Sequence, residues 1–179
     1  DGFPAGNNTA GGDGGAICAY FSLPNLAYQD EYYPSTDPFL FAGNQAASAG
    51  AIYLQGTNDV VFSNCVFMYN SAVGIPGGAG GHGGAILATG DVFTADSCVF
   101  IENTALGSYG LPVSGDNKAG GGGGGAGLGG GICLLNDKGT GYVYNCLFDG
   151  NSVTGGMGGV SGGVTGGQAG GNGGGINGG

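Results

Sequence analysis

Side chains that could carry out chemistry are sparse in this sequence, and their spacing forms no catalytic arrangement. The 179 residues include one His, five Cys, twelve acidic residues and only two cations. The single histidine, His82, lies in "GAGGHGGAI". Catalysis by histidine needs a nucleophile or a carboxylate at hydrogen-bonding distance, and the neighbouring sequence offers neither. We therefore interpret His82 as a loop residue.

The acidic residues give little support for an enzyme. Glycoside hydrolysis requires two carboxylates a few ångströms apart, whereas acids such as Asp91 and Asp96 have no counterparts at matching positions elsewhere. Cleavage of acidic polysaccharides by β-elimination generally uses a strong base together with cations, and the only cations are Lys118 and Lys138. We predict no catalytic residues and no catalysis by this chain. The alternative is a fragment of a carbohydrate-active enzyme whose catalytic residues lie elsewhere.

Motifs for metals and cofactors are equally weak. The chain has no C-x-x-C pair for zinc and no G-K-[ST] sequence of a phosphate-binding loop. The stretches "GGDGG" (11–15) and "SGDNKAGG" (114–121) contain the residue types of calcium-binding turns. The nonapeptide calcium repeat is nevertheless absent. We therefore predict no metal and no cofactor.

The net charge of the chain limits the classes of partner that it can bind. The formal net charge is −10. Affinity for nucleic acids comes largely from cations that neutralise phosphates, so we predict no nucleic-acid partner. Anionic membrane surfaces would repel the chain as well. No apolar run approaches the roughly 18 residues needed to span a bilayer, so we predict no membrane-spanning segment.

Two short motifs recur in alternation along the chain. The first is a Gly-Gly/Ala-Ile block, found as "GGAICAY" (14–20), "GAIYLQ" (50–55), "GGAILA" (83–88) and "GGGICLL" (129–135), with a fifth copy beginning at "GGGING" (173–178). The second contains F-x-x-N and is found as "FLFAGNQAA" (39–47), "NCVFMYNSA" (64–72), "SCVFIENTA" (97–105) and "NCLFDGNSV" (145–153). One copy of each motif defines a repeat.

Insertions account for the unequal repeat lengths. The Phe residues of the second motif are 26, 33 and 48 residues apart, although the motifs keep their length. We predict that the additional residues form Gly-rich loops at 74–82, 106–128 and 154–172. An insertion rich in Tyr and Pro forms a predicted aromatic loop at 20–38.

The motifs predict an all-β fold. Each is short, rich in β-branched or aromatic residues and bounded by Gly, which is the pattern of strands. No helical periodicity of 3.6 residues is sustained. Repeats of this kind without helices favour a right-handed parallel β-helix, a solenoid with long Gly-rich loop insertions. We expect a single β-helix segment over 1–179, taken from a longer repeat protein.

Equivalent residues of successive repeats should stack at about 4.8 Å, the strand spacing of a sheet. The predicted ladders are Ile17, Ile52, Ile86 and Ile132; Phe41, Phe67, Phe100 and Phe148; Asn44, Asn70, Asn103 and Asn151; and Phe39, Cys65, Cys98 and Cys146. Stacked Asn amides can bond one another and the turn backbone, so we interpret the Asn residues as structural.

The odd number of cysteines favours free thiols. Cys65, Cys98 and Cys146 share one ladder, and stacked side chains fit the torsion of a disulfide poorly, so we predict buried thiols that act as small apolar groups. A partial disulfide is the alternative. Cys18 and Cys133 share another ladder, but two repeats separate them and they should not meet.

The pairing of GGA-[ILV] with F-x-x-N resembles the repeats of polymorphic outer membrane proteins, known from chlamydial surface autotransporters. The resemblance covers nearly the whole chain, with four copies of each motif. It implies a right-handed parallel β-helix at a cell surface.

These patterns predict an extracellular or cell-surface rod with a structural or adhesive role. The expected partners are a protein or glycan at a cell surface, or copies of the chain itself. The aromatic loop supplies candidate contacts in Tyr28, Tyr32 and Tyr33, unless these rings pack on their own side of the β-helix. Asn7 begins the sole N-glycosylation sequon. An alternative role is the subunit of a self-assembling extracellular filament.

Overall fold

Sixteen strands account for the regular structure. The computed structural model describes residues 12–20, 27–28, 38–56, 60–78, 80–90, 92–112, 124–135 and 140–159. The first repeat contributes β1 (Ile17–Tyr20), β2 (Ala27–Tyr28), β3 (Phe39–Ala42) and β4 (Gln45–Ala46). The second contributes β5 (Ile52–Gln55), β6 (Val60–Ser63), β7 (Cys65–Met68) and β8 (Ser71–Val73). The third contributes β9 (Ile86–Thr89), β10 (Val92–Asp96), β11 (Val99–Ile101) and β12 (Thr104–Leu106). The fourth contributes β13 (Ile132–Leu135), β14 (Thr140–Tyr144), β15 (Leu147–Asp149) and β16 (Ser152–Thr154).

Some residues singled out from the sequence lie outside the described ranges. They include Asn7, Tyr32, Tyr33, Asp91, Lys118 and Lys138, together with the stretch 114–121, most of the predicted aromatic loop, parts of the predicted Gly-rich loops and the fifth Gly-Ile copy at 173–178. The side chain of Tyr28 also falls outside the description, although its backbone belongs to β2. Across the described ranges the chain has no helix, and therefore none that could cross a membrane.

The strands form four parallel sheets, and each repeat supplies one strand to each sheet. The first sheet has the order β1-β5-β9-β13, the second β2-β6-β10-β14, the third β3-β7-β11-β15 and the fourth β4-β8-β12-β16. All pairings are parallel, with Ile52 opposite Ile17 and Ile86 in the first sheet. The predicted all-β fold with parallel strands is confirmed for the described residues, and the sheets are compatible with a parallel β-helix.

Alternation along each strand creates the core. In β5, β6 and β7 buried residues alternate with half-buried ones, as expected when successive side chains point to opposite faces of a sheet. The inward side chains of the first three sheets meet in one apolar cluster. Its largest fully buried members are Phe62, Phe67, Phe93 and Phe100. The aromatic side chains therefore hold the sheets together from inside.

Single residues in the left-handed region turn the chain between sheets. Between the second and third sheets these residues are Asn64, Ser97 and Asn145, with φ from 50° to 55°. Between the third and fourth sheets they are Gly43, Tyr69, Glu102 and Gly150. L-residues seldom adopt this conformation outside tight turns. The strands on both sides therefore hold a single residue in the left-handed region at each corner.

The Gly-rich tracts continue the stacking beyond the strands. Gly74 donates its N–H to the Leu106 carbonyl and Gly77 donates to Tyr109, at 2.9 and 2.8 Å. In the next repeat Gly107 donates to Thr154 and Gly110 to Met157, at 2.7 and 2.8 Å. β12 and β16 also end at Leu106 and Thr154, so the first residue of each of these two predicted loops belongs to a strand.

Returning segments of the same tracts pack against the outgoing ones. Gly125 donates to the Ser108 carbonyl at 2.8 Å, and Gly156 donates to the Gly125 carbonyl at 2.9 Å. A Cβ atom placed on Gly107 would lie 2.0 Å from the Gly125 oxygen. Only glycine fits such a backbone-to-backbone contact, so the Gly content of these tracts is a packing requirement.

Candidate functional site

A column of phenylalanine rings runs through the third sheet. Phe41, Phe67, Phe100 and Phe148 stack with centroid separations of 4.8, 4.9 and 4.7 Å and interplanar angles of 5–6°. Each ring sits one strand above the last because F-x-x-N keeps its register through β3, β7, β11 and β15. The rings belong to the apolar core between the sheets.

The asparagine column closes the corner between the third and fourth sheets. The Oδ1 atom of Asn70 accepts from the backbone N–H and the Nδ2 of Asn44, at 3.1 and 2.9 Å. Nδ2 of Asn70 also donates to the Phe41 carbonyl at 2.9 Å. Asn103 and Asn151 repeat the pattern. Asn44, Asn70 and Asn103 are fully buried, so these amides serve the scaffold.

Three cysteines form a second column beside the phenylalanines, which we term the thiol column: Cys65, Cys98 and Cys146. All three are free thiols. Each donates to the carbonyl two residues earlier in its own chain, those of Ser63, Asp96 and Tyr144. Cys65 and Cys98 are fully buried, whereas Cys146 is only partly buried.

The thiols of this column differ in the direction in which their surroundings shift their pKa values. Interaction with the Cys65 thiol lowers the pKa of Cys98, and the same interaction together with burial raises the pKa of Cys65. Burial raises the pKa of Cys146. Cys133 lies apart from them, opposite Leu87 in the first sheet, and burial raises its pKa to about 11. The column therefore contains one acidified thiol between two weakly acidic ones.

A line of polar residues that the sequence analysis missed precedes the first sheet. Asp13, Ser48 and His82 each lie four residues before an isoleucine of the Ile ladder. The Ser48 hydroxyl donates to Asp13 Oδ1 at 2.7 Å. The backbone N–H of His82 donates to the backbone carbonyl of Ser48 at 2.9 Å. Alignment of the repeats on isoleucine was the signal that could have found them.

This line does not form a catalytic relay. Activation of serine requires the imidazole to accept the hydroxyl proton, but here the Ser48 hydroxyl donates to Asp13. Nδ1 of His82 is buried without a hydrogen-bond partner in the described part of the chain. Loss of hydration on burial lowers the pKa of His82. Burial therefore favours the neutral form of the imidazole, while the backbone of His82 pairs in parallel with that of Leu128.

The outer side of the third sheet is apolar, and we term it the lateral face. Its main row is Leu40, Val66, Val99 and Leu147, which are opposite one another in register. Ala42, Met68 and Ile101 form the next row, which ends at Asp149. Leu147 is 55% exposed, whereas Leu40, Val66 and Val99 are half-buried. A continuous apolar surface of this kind on a sheet marks an interaction site more often than scattered apolar residues do.

Two tyrosines extend the exposed surface onto the second sheet. Tyr142 and Tyr144 are 44% and 52% exposed, and their rings lie within 9° of parallel with centroids 6.1 Å apart. Asn145 donates its side-chain N–H to Asp96 Oδ1 beside them, at 3.2 Å. Aromatic faces next to amide and carboxylate groups are suited to contact with proteins or glycans.

Neither a metal site among the described residues nor a similarity to known proteins indicates a function. Among the described residues, no group of three or more His, Cys, Asp or Glu side chains could hold a metal ion. Comparison of the chain with protein-family models, curated proteins and solved structures returned no match. The function must therefore be argued from the ladders, the thiol column and the lateral face.

Proposed function

We propose that this chain is a structural or adhesive rod at a cell surface, with no catalysis of its own. The observation that carries the proposal is the register of four repeats across four parallel sheets. Each repeat adds the same Ile, Phe and Asn to continuous columns, so length is added without a change in cross-section. Such one-dimensional growth is characteristic of solenoid proteins.

The finer architecture that we propose is a right-handed parallel β-helix. Consecutive strands β5, β6, β7 and β8 enter four different sheets before β9 returns beside β5. Connections between parallel strands are right-handed in almost all proteins. The paired GGA-[ILV] and F-x-x-N motifs, which resemble polymorphic outer membrane protein repeats, support the same winding and a location at a cell surface.

An adhesive role is supported by the lateral face. Val66 and Val99 lie at the middle of its apolar row, and the chain carries a net charge of −10 with only two cations. An apolar surface on an acidic protein favours a partner that is uncharged or basic at the contact. We propose a cell-surface protein or a neutral glycan.

A filament subunit is a second candidate, favoured by the repeat itself. Each repeat adds one strand to each of four parallel sheets, and such a stack can be extended by further strands of the same kind. In this candidate, repeats of another copy continue the stack.

Electron microscopy of the native protein separates the two candidates. Isolated rods are expected for an adhesive or structural protein, and filaments whose length grows with concentration are expected for a polymer. Binding to cells and to a neutral-glycan array should be lost in the double variant Val66→Asp/Val99→Asp and kept in Val61→Asp, which changes an outward residue of the second sheet. Depolymerisation of a polysaccharide panel by the native protein would contradict the proposal.

A further inference from the structure

The corner between the third and fourth sheets carries an exposed tyrosine. Tyr69 has a φ of 56°, and its side chain is 54% exposed. The first and fourth repeats have glycine at the same corner, Gly43 and Gly150. A bulky L-residue is disfavoured in the left-handed region, whereas glycine adopts it freely. The turn itself therefore does not require the tyrosine.

The next repeat places a carboxylate at the equivalent corner. The backbone N–H of Tyr69 donates to the Ile101 carbonyl at 3.0 Å, so Tyr69 and Glu102 lie on adjacent corners, about 4.8 Å apart along the stack. Glu102 is exposed. A Cβ atom built on Gly150 would lie 3.0 Å from Glu102 Cγ. The side chain of Glu102 therefore extends over the fourth repeat, where Asp149 ends the outer row of the lateral face.

No described residue balances the charge of this rim. The described ranges contain neither Lys nor Arg, and the whole chain has only two cations against twelve acidic residues. Glu102 and Asp149 therefore have no Lys or Arg partner in the described part of the chain. Two carboxylates at one edge repel each other, so a cation supplied by a partner is favoured there.

Tyr69 and Glu102 border the lateral face. Met68 and Ile101, the residues that precede them, belong to its outer apolar row. Both corners lie in repeats that have a neighbouring repeat on either side. Their exposure is therefore a property of the stack and does not depend on which described repeat is the last.

We propose that the lateral face and this corner bind an arginine-containing segment of a partner protein. One guanidinium group stacks on the ring of Tyr69 in a cation–π contact. Another pairs with the Glu102 carboxylate, because its planar fork matches a carboxylate through two hydrogen bonds. The alkyl stems lie along Met68 and Ile101, since arginine covers apolar surface while its charge stays in water.

Charge complementarity selects this occupant over two others. A second copy of the chain would bring its own Glu102 and Asp149 against the same carboxylates. A neutral glycan offers no charge to either of them. The inference rests on the proposed adhesive role, and it narrows the partner to a protein with exposed arginines.

The test measures the affinity of a labelled oligo-arginine peptide for the full chain by fluorescence anisotropy. Tyr69→Asn removes the ring without changing the net charge, and Asn tolerates a positive φ. We expect its Kd to rise about tenfold, with a melting temperature equal to or above that of the wild type. Tyr109→Asn is the matched control, because Tyr109 is also exposed but lies in a Gly-rich tract. Its Kd should equal that of the wild type.

A second pair of variants tests the carboxylate. Glu102→Gln should weaken binding of the same peptide, and the loss should shrink as salt screens the charges. Asp96→Asn makes the same change in net charge on the second sheet and should weaken binding less. Equal losses in these two variants would overturn the inference, because the peptide would then respond to net charge alone.

Other results would overturn it as well. An unchanged Kd in Tyr69→Asn would show that the ring makes no contact, and a melting temperature several degrees below the wild type would identify the ring as a packing residue. Binding to cells separates this inference from the adhesive role. If Val66→Asp/Val99→Asp loses cell binding while Tyr69→Asn keeps it, the adhesive role stands and the arginine site fails. Loss of cell binding in both variants supports the site.

Discussion

Asn70 and Asn103 are joined by two hydrogen bonds to a single atom: Oδ1 of Asn103 accepts the backbone N–H of Asn70 at 3.1 Å and its Nδ2 at 2.9 Å. Nδ2 of Asn103 meanwhile donates to the Phe67 carbonyl at 3.0 Å. A fully buried amide is thus used as donor and acceptor at once. No other side chain of that size has both functions in this geometry.

Replacement of Asn103 by Asp should therefore destabilise the folded chain strongly. The carboxylate cannot donate to Phe67 and buries a charge, and we expect a loss of about 3 kcal/mol or more in the free energy of unfolding. Urea denaturation at pH 7 measures it. Asn64→Asp is the matched control, because Asn64 is exposed and Asp tolerates its positive φ. Equal losses in the two variants would contradict the role of the column.

Truncation of Phe100 should remove a layer of the ring column. Its ring is fully buried and stacked on both sides, against Phe67 and Phe148. Phe100→Ala should cost about 3–5 kcal/mol of unfolding free energy. Val99→Ala, on the lateral face next to it, should cost about 1 kcal/mol. The difference between the two denaturation midpoints checks the assignment of inward and outward faces.

A methyl group on Gly107 should disrupt the Gly-rich tracts. Its Cβ would meet the Gly125 oxygen at 2.0 Å and the Gly156 nitrogen at 2.4 Å. We expect Gly107→Ala to destabilise the chain by about 1–3 kcal/mol. Gly12→Ala has open space around the new methyl group and should be neutral. Thermal melts of both variants give the comparison, and a neutral Gly107→Ala would show that these segments are loosely packed.

His82 should make stability depend on pH. Desolvation lowers its folded pKa below the ordinary 6.5, so the folded chain binds fewer protons than the unfolded chain in that interval. Its stabilising contribution is complete above about pH 6.5 and is lost as the pH falls toward the folded pKa. Melting temperatures from pH 7.5 to 5.5 should fall more steeply for the wild type than for His82→Gln. Parallel curves would argue against a buried neutral imidazole.

Alkylation of Cys146 should be slow at neutral pH. Burial raises its pKa above 9.0, and only the thiolate reacts, so the rate should rise about tenfold per pH unit from pH 7 to 9. Iodoacetamide labelling followed by peptide mapping measures this rate, with free cysteine in the same solution as the reference. Labelling of Cys146 faster than free cysteine at pH 7 would contradict the raised pKa.

The sequence was most informative where residue type repeats. The constant distance from Phe67 to Asn70 and from Phe100 to Asn103 predicts columns, and the structure places these residues in register. The parallel, all-β character follows from the same motifs. The strands of the second sheet share no motif: β6, β10 and β14 have in common only a two-residue alternation, which many loops also show.

The other features depend on contacts that residue type does not encode. The line from Asp13 through Ser48 to His82 was missed because its members differ chemically and share only their offset from isoleucine. The packing of Gly107 against Gly125 involves no side chain at all, so no pattern of hydrophobicity signals it. Leu147 is more exposed than its half-buried counterparts Val66 and Val99, although all three occupy the same place in the motif.

The asparagine column has one further consequence. Nδ2 of Asn44 donates to Oδ1 of Asn70, and the same bond recurs from Asn70 to Asn103 and from Asn103 to Asn151. The amide dipoles therefore add head to tail, and hydrogen bonds in such a chain polarise one another. The molecule acquires an electrical direction, negative toward the first repeat and positive toward the fourth. Two copies meeting through their fourth repeats would bring like poles together, whereas a head-to-tail arrangement would align them.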